Sequence, residues 1–175
     1  KNRSPSEASK ATRGVDTRAM GRSSPQTAAS YPGRLADGLW VLGNSYFNLY
    51  LVRGTAAAAL VDTGISAMAD DVIGQLEMLG VAPDHLIVTH PHPDHINGLD
   101  ALRQRFPAAR VVIGPGAREF LAHPKTAASL VAEDRFMSEF LASQGYRPGR
   151  PPIERPPSVD GAAVAGDNET LDLGG

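Results

Sequence analysis

Hydrophobic and polar positions follow one pattern in the first half of this chain and a different one in the second half. In the first half, short apolar runs occupy residues 39–42, 47–52 and 57–62, and glycine-containing polar segments separate them. Apolar runs of this length at hairpin spacing predict a three-stranded antiparallel meander. Ser66 is then expected to cap a helix, because its hydroxyl can accept a free amide N–H, and Gly80 is expected to end that helix.

The second half alternates strands with helices. Further strands are predicted at residues 85–89 and 110–113, and helices at residues 96–105, 117–122 and 126–143. An antiparallel start followed by alternating strands and helices predicts a mixed α/β sandwich.

The last thirty residues continue this pattern less regularly. Five prolines fall within residues 145–158, which predicts a stiff loop that crosses the surface. Residues 159–165 and 170–173 are predicted to pair as a hairpin that turns at Asp167 and Asn168.

The first thirty residues differ from the rest in composition. They hold six basic and two acidic side chains, a net charge of +4, and very few large apolar side chains. Such a segment buries too little surface to offset its chain entropy. We therefore predict a disordered basic tail at residues 1–34 and a single domain at residues 35–175.

The composition also excludes several classes of protein. The formal net charge of the 175 residues is -2, so residues 31–175 carry -6, which disfavours nucleic acid or an anionic membrane as a partner. The absence of cysteine excludes disulfide scaffolds, thiolate metal sites and cysteine nucleophiles. No apolar run approaches the roughly 20 residues of a spanning helix, and no signal peptide is recognisable, so we expect a cytoplasmic protein.

Candidate chemistry is concentrated in one short segment. Three of the five histidines lie within the sequence Thr-His-Pro-His-Pro-Asp-His at residues 89–95. A residue that precedes proline is driven towards extended conformations, and positions i, i+2 and i+4 of an extended segment share a face. His90, His92 and Asp94 are therefore expected to point the same way, with His95 brought round by the turn into the next helix.

Imidazole and carboxylate groups together favour zinc, iron or manganese. Four such ligands within six residues strain the shell of a single ion, so two neighbouring ions are the more natural prediction. His90 and His92 would hold one ion, and Asp94 and His95 the other. Two ions about 3.5–4 Å apart can share a hydroxide that attacks a carbonyl.

This motif resembles the HxHxDH signature of the metallo-β-lactamase-fold hydrolases. The resemblance includes Leu-Val-Asp-Thr-Gly at residues 60–64 and extends over about residues 38–175. It implies an αββα sandwich with two metal ions, most commonly Zn²⁺, at the edge of its sheets. It assigns His90 and His92 to the first ion, Asp94 and His95 to the second, and Asp62 to a position that orients the ligands.

The chain also departs from the family pattern. Members complete the site with a later histidine, commonly in a Gly-His-Ser/Thr turn, and with a further bridging Asp and final His. None of the five histidines can fill these roles, and residues 170–175 resemble the strand that leads into that turn. We therefore expect a domain that is incomplete at its C-terminus, with the remaining ligands beyond Gly175 and only weak zinc binding by the 175-residue chain.

The function expected from this resemblance is the metal-dependent hydrolysis of an ester, thioester, lactone or β-lactam in a small-molecule substrate. Asp94 would serve as metal ligand and proton carrier. The alternatives are a persulfide dioxygenase with a single Fe²⁺ and a non-catalytic fragment or pseudo-enzyme.

The other polar residues are interpreted as structural. His85 opens a strand, and His123 is a solvated residue at a helix end. Asp70 and Asp71 form an exposed pair that favours the dipole of their helix.

Overall fold

The computed structural model describes residues 30–174, so nearly all of the predicted basic tail lies outside the described residues. The described chain enters a strand earlier than expected. β1 (Gly33–Ala36) pairs antiparallel with residues 39–41 of the next strand, although Gly33 and Arg34 were assigned to the tail. Its residues are mostly exposed, and only Leu35 among them is a large apolar residue, so the apolar pattern did not reveal this edge strand.

The predicted meander is confirmed. β2 (Leu39–Gly43), β3 (Asn48–Arg53) and β4 (Ala58–Val61) pair antiparallel in sequence order. Gly38 and Gly43 adopt φ values of 71° and 99°, the left-handed conformations that the turns flanking β2 require.

The first helix begins differently from the prediction. A single 3₁₀ turn at Ser66–Met68 leads into α1 (Ala69–Met78), and neither helix start has a side-chain cap. The Ser66 hydroxyl donates a hydrogen bond to Asp134 (2.5 Å) instead of accepting one from the helix backbone. The predicted cap was therefore wrong, because the Ser66 hydroxyl is hydrogen-bonded to a buried carboxylate on a distant helix.

The second half supplies parallel strands and the remaining helices. These elements are β5 (His85–Val88), α2 (Pro93–Ile96), α3 (Leu99–Arg105), β6 (Arg110–Ile113), α4 (Ala117–Ala122), α5 (Pro124–Ser143) and β7 (Ala163–Val164). The sheet order β1-β2-β3-β4-β5-β6-β7 follows the sequence, and β4 through β7 run parallel to one another.

The helix predicted over residues 96–105 is two helices, with Asn97 and Gly98 between them. The predicted C-terminal hairpin was wrong. β7 pairs in parallel with β6, and the carbonyls of Leu173 and Gly174 accept backbone hydrogen bonds from residues 55–57 instead. The terminal segment thus lies against the turn between β3 and β4.

The proline-rich loop (residues 145–158) contains no helix or strand, as predicted, but it is anchored at several points. Arg150 pairs with Asp70 on α1 at 2.7 Å, and the Tyr146 hydroxyl donates to Asp71 at 2.6 Å. Burial and this hydrogen bond raise the pKa of Tyr146 above its ordinary value, so the phenol keeps its proton. Asp70 and Asp71 therefore hold the loop, a role beyond the dipole interaction expected of them.

One face of the sheet carries the core. Leu49, Leu51, Leu86 and Ile113 are buried and belong to one cluster with apolar side chains of α1, α3, α4 and α5. Intervening positions such as Tyr50 on the other face are half-buried or exposed. The described residues thus form one sheet covered by helices, the α/β architecture expected for half of an αββα sandwich. Among these helices, none combines the length and the apolar character needed to cross a bilayer.

Candidate metal centre

The polar residues singled out from the sequence lie at one edge of the sheet. β4 and β5 are parallel neighbours, with Val61 beside Ile87, so their carboxyl ends meet at the same edge. Asp62 follows β4 directly, and the histidine turn (residues 89–95) follows β5. In α/β sheets this edge is the usual location of a ligand site.

Asp62 occupies a backbone conformation that is uncommon for a residue with a side chain. Its φ is 65°, and its N–H donates to the carbonyl of Ile87 at 2.7 Å. Aspartate tolerates the left-handed region better than most residues, yet the conformation still costs free energy and is enriched at functional sites. The turn directs the largely buried Asp62 carboxylate into the histidine turn, as the next contacts show.

The carboxylate of Asp62 accepts three hydrogen bonds there. One oxygen receives the Thr89 N–H (2.9 Å) and the Thr89 hydroxyl (2.7 Å), and the other lies 2.8 Å from Nδ1 of His95. The structure therefore places the Asp62 carboxylate in contact with His95, one of the histidines of the predicted site. Thr89 also takes part in this set of hydrogen bonds, although no role was predicted for it from the sequence. Its place directly after a buried strand and before the first histidine was the available signal.

The histidine turn brings the predicted residues together, but its backbone is not extended as far as Asp94, contrary to the expectation. The N–H of His92 donates to the carbonyl of His90 (2.9 Å), and α2 begins at Pro93, so the extended segment ends at His92 and Asp94 lies on a helix. The ring centroids of His90 and His92 are 4.6 Å apart, and those of His90 and His95 are 4.0 Å apart. Asp94 lies 3.3 Å from Nε2 of His95.

The hydrogen bonds determine which ring nitrogens carry protons. A carboxylate can only accept, so Nδ1 of His95 must donate to Asp62, and the Thr89 hydroxyl must do the same. The Thr89 oxygen then accepts from Nδ1 of His90, 3.0 Å away. In its neutral form, His90 therefore presents Nε2 with a free lone pair, which is the ligating form of histidine, whereas Nε2 of His95 faces Asp94 at 3.3 Å.

The charge state of His90 agrees with this role. Partial desolvation lowers the pKa of His90 below the ordinary histidine value, and the nearby His95 and His92 lower it further. A lowered pKa favours the neutral imidazole, which can bind a metal, over the imidazolium, which cannot.

The donor set of three imidazoles and one carboxylate fits a divalent ion such as Zn²⁺ or Fe²⁺ in its chemistry. Within residues 30–174, however, no three His, Asp or Glu side chains converge to hold one ion together. Asp94 and His95 contact each other instead. The residue types therefore suit a divalent ion, but the described residues bring together fewer ligands than a closed site requires.

Two clefts adjoin the histidine turn. One, of about 300 Å³, lies between His90 and the segment 114–117; the other, of about 330 Å³, lies between His92 and the start of α5. Phe120 borders both clefts. The first is mainly apolar, whereas the second contains Lys125 and Glu133.

The two remaining histidines lie apart from this site. His85 is at the opposite end of β5 from the histidine turn. His123 is exposed, and its Nδ1 accepts the N–H of Lys125 (3.3 Å) as the N-cap of α5. Both positions agree with the structural interpretation drawn from the sequence.

Comparison with known families identifies the fold. A model of the metallo-beta-lactamase superfamily matches residues 43–175. The chain belongs to the metallo-beta-lactamase superfamily. The fold predicted from the histidine motif is thereby confirmed.

Individual relatives of this superfamily match parts of the chain. A protein named YobT from Bacillus subtilis is 36% identical over 66 residues, which cover 38% of this chain and 28% of YobT. The hydroxyacylglutathione hydrolase of Stenotrophomonas maltophilia is 39% identical over 62 residues, 35% of this chain and 23% of that enzyme. The alignments thus span about a quarter of the curated relatives.

A solved structure of the superfamily covers more of the chain. The FEZ-1 metallo-beta-lactamase of Legionella gormanii superimposes with a TM-score of 0.56 at 18% identity, over 82% of this chain and 49% of that protein. This similarity shows the shared fold over about half the length of FEZ-1.

Proposed function

We propose that this chain is part of a metal-dependent hydrolase that acts on an ester, thioester, lactone or β-lactam carbonyl. The observation that carries the proposal is the hydrogen-bond set around Asp62, which makes Nδ1 of His90 and of His95 donors, so that Nε2 of His90 is free and Nε2 of His95 faces Asp94 at one edge of the sheet. A surface loop has no structural need for a buried carboxylate that selects histidine tautomers. A metal centre does, because the tautomer decides which nitrogen binds.

Each residue has a defined part in this proposal. His90 and His92 would hold one ion, and Asp94 and His95 a second one. Asp62 orients His95 directly, and it orients His90 through the hydroxyl of Thr89. Divalent ions bound here, most simply Zn²⁺, would acidify water and polarise a carbonyl. Asp94, about one-third exposed, is the carboxylate best placed to exchange protons with solvent.

The clefts support a small-molecule substrate. Together they offer an apolar wall beside His90 and a charged one beside His92, and they meet at Phe120. A thioester with an apolar acyl group and a charged remainder suits both walls. The relatives named hydroxyacylglutathione hydrolase point to the same class, although they match only part of this chain.

A substrate panel tests this proposal. The full-length protein, loaded with zinc, is expected to hydrolyse S-lactoylglutathione or another ester, lactone or β-lactam in the panel, with a chelator abolishing the activity. Glutathione persulfide with Fe²⁺ and an oxygen electrode forms the second arm of the panel. Oxygen consumption there, without any hydrolysis, would favour the dioxygenase, and inactivity in both arms would favour the non-catalytic alternative.

A further inference from the structure

Asp134 is a fully buried carboxylate outside the histidine turn. It lies on α5 with no exposed surface. None of the ion pairs among residues 30–174 involves it, so hydrogen bonds alone stabilise it. The donors are the N–H and hydroxyl of Ser66 (3.0 and 2.5 Å), the side-chain amide of Asn97 (3.2 Å) and the N–H of Ile153 (2.9 Å).

Burying a carboxylate without a cation is costly, and apolar side chains could join the same helices at lower cost. What distinguishes Asp134 is the identity of the segments that it joins. Ser66 lies four residues after Asp62, and Asn97 lies two residues after His95. One carboxylate thus connects the two segments that carry the Asp62–His95 pair.

The same two segments are also joined by hydrogen bonds closer to the site. The N–H and hydroxyl of Thr63 both donate to the carbonyl of His95, at 2.9 and 3.0 Å. The N–H of Gly98 donates to the carbonyl of Gly64 at 2.8 Å. Asp134 adds a third attachment between the two segments, through Ser66 on one and Asn97 on the other.

We propose that Asp134 is a positioning residue. It fixes the position of Asp62 relative to His95, and the hydrogen bond between these two residues in turn fixes the tautomer of His95. Only one part of this inference rests on the proposed function, namely that the Asp62–His95 pair belongs to a metal centre. The placement of Asp62 and His95 by Asp134 holds whether or not metal is bound.

The test compares Asp134→Asn with a matched control, Leu141→Ala, in the 175-residue chain. Leu141 lies on the same helix and is also fully buried, but it contacts neither segment through hydrogen bonds, so its loss weakens packing alone. Long-range ¹H–¹⁵N correlation spectra report the tautomer of each histidine without any metal present. We expect wild type and Leu141→Ala to show His95 protonated at Nδ1, and Asp134→Asn to show a mixture of both tautomers.

Ser66→Ala decides the matter if Asp134→Asn does not fold, because it removes one of the hydrogen bonds and leaves the carboxylate in place. It should shift the His95 signals in the same direction by a smaller amount. In the full-length protein, Asp134→Asn should also weaken zinc binding about 10-fold or more. Unchanged His95 signals in the folded variants would overturn the positioning role, whereas a wild-type protein that binds no zinc would overturn the proposed function alone.

Discussion

Replacing His90 or Asp94 by alanine in the full-length protein is expected to reduce hydrolysis at least about 100-fold. Each substitution removes one proposed ligand, His90 from the first ion and Asp94 from the second. If both ions act on the same attacking water, the loss of either one leaves that water less acidic and poorly placed. The measurement is kcat/KM on the substrate that the panel identifies.

His123→Ala is the control for these two variants. His123 is exposed and caps α5, so its replacement should leave kcat/KM within a few-fold of the wild-type value. A rate for His90→Ala or Asp94→Ala within a few-fold of wild type would remove these residues from the proposed centre. An equally large loss in His123→Ala would show that the assay responds to stability instead of to ligands.

The second large effect is expected at Gly98, where α3 meets the segment after β4. A Cβ added at Gly98 would lie 2.1 Å from the backbone carbonyl oxygen of Thr63, an atom that cannot rotate away. The backbone of Gly98 is right-handed helical, so the contact alone makes alanine unfavourable. We expect Gly98→Ala to destabilise the chain by about 3 kcal/mol, which lowers the melting temperature by about 10 °C.

Gly74→Ala is the matched control for Gly98→Ala. Gly74 lies within α1, and a Cβ added there meets nothing within 4 Å. Alanine in an open helical position stabilises by about 0.5–1 kcal/mol, so this variant should melt slightly above wild type. Calorimetry of both variants checks the pair. A Gly98→Ala protein as stable as wild type would show that the Thr63–Gly98 contact is not tight.

The parts of the fold that the sequence predicted are those whose signal is local. The apolar runs of β2 to β6 are short and bounded by turn residues, and each strand was placed within about a residue or two. The histidine turn was equally readable, because three histidines and one aspartate lie within six residues.

The parts that were missed depend on contacts between distant residues. Serine is a residue type that often caps helices, but the Ser66 hydroxyl donates its hydrogen bond to the buried Asp134. Residues 170–173 are apolar enough for a strand, yet the carbonyl of Leu173 pairs with the turn before β4. The break between α2 and α3 follows from the hydrogen bonds of Asn97 and Gly98 to residues far away in the sequence.

In the candidate site, too, the features set by neighbouring residues were predicted, and the contacts between residues far apart in the sequence were not. The ligand types were predicted from spacing, and the interaction of Asp62 with a histidine was implied by the resemblance. The link through Thr89 to His90 and the attachment to Asp134 required the structure, because each joins segments 27 or more residues apart. The extended geometry expected of Asp94 failed for a local reason, since Pro93 begins a helix there.

The metal content of the purified full-length protein tests most directly whether the histidine turn is a metal centre. Plasma emission spectroscopy after exhaustive dialysis should find about two ions per chain in the wild type and in His123→Ala. His90→Ala and Asp94→Ala should each fall towards one. A wild-type protein that retains no metal, or variants that keep both ions, would contradict the assignment of residues 90–95 to a metal centre.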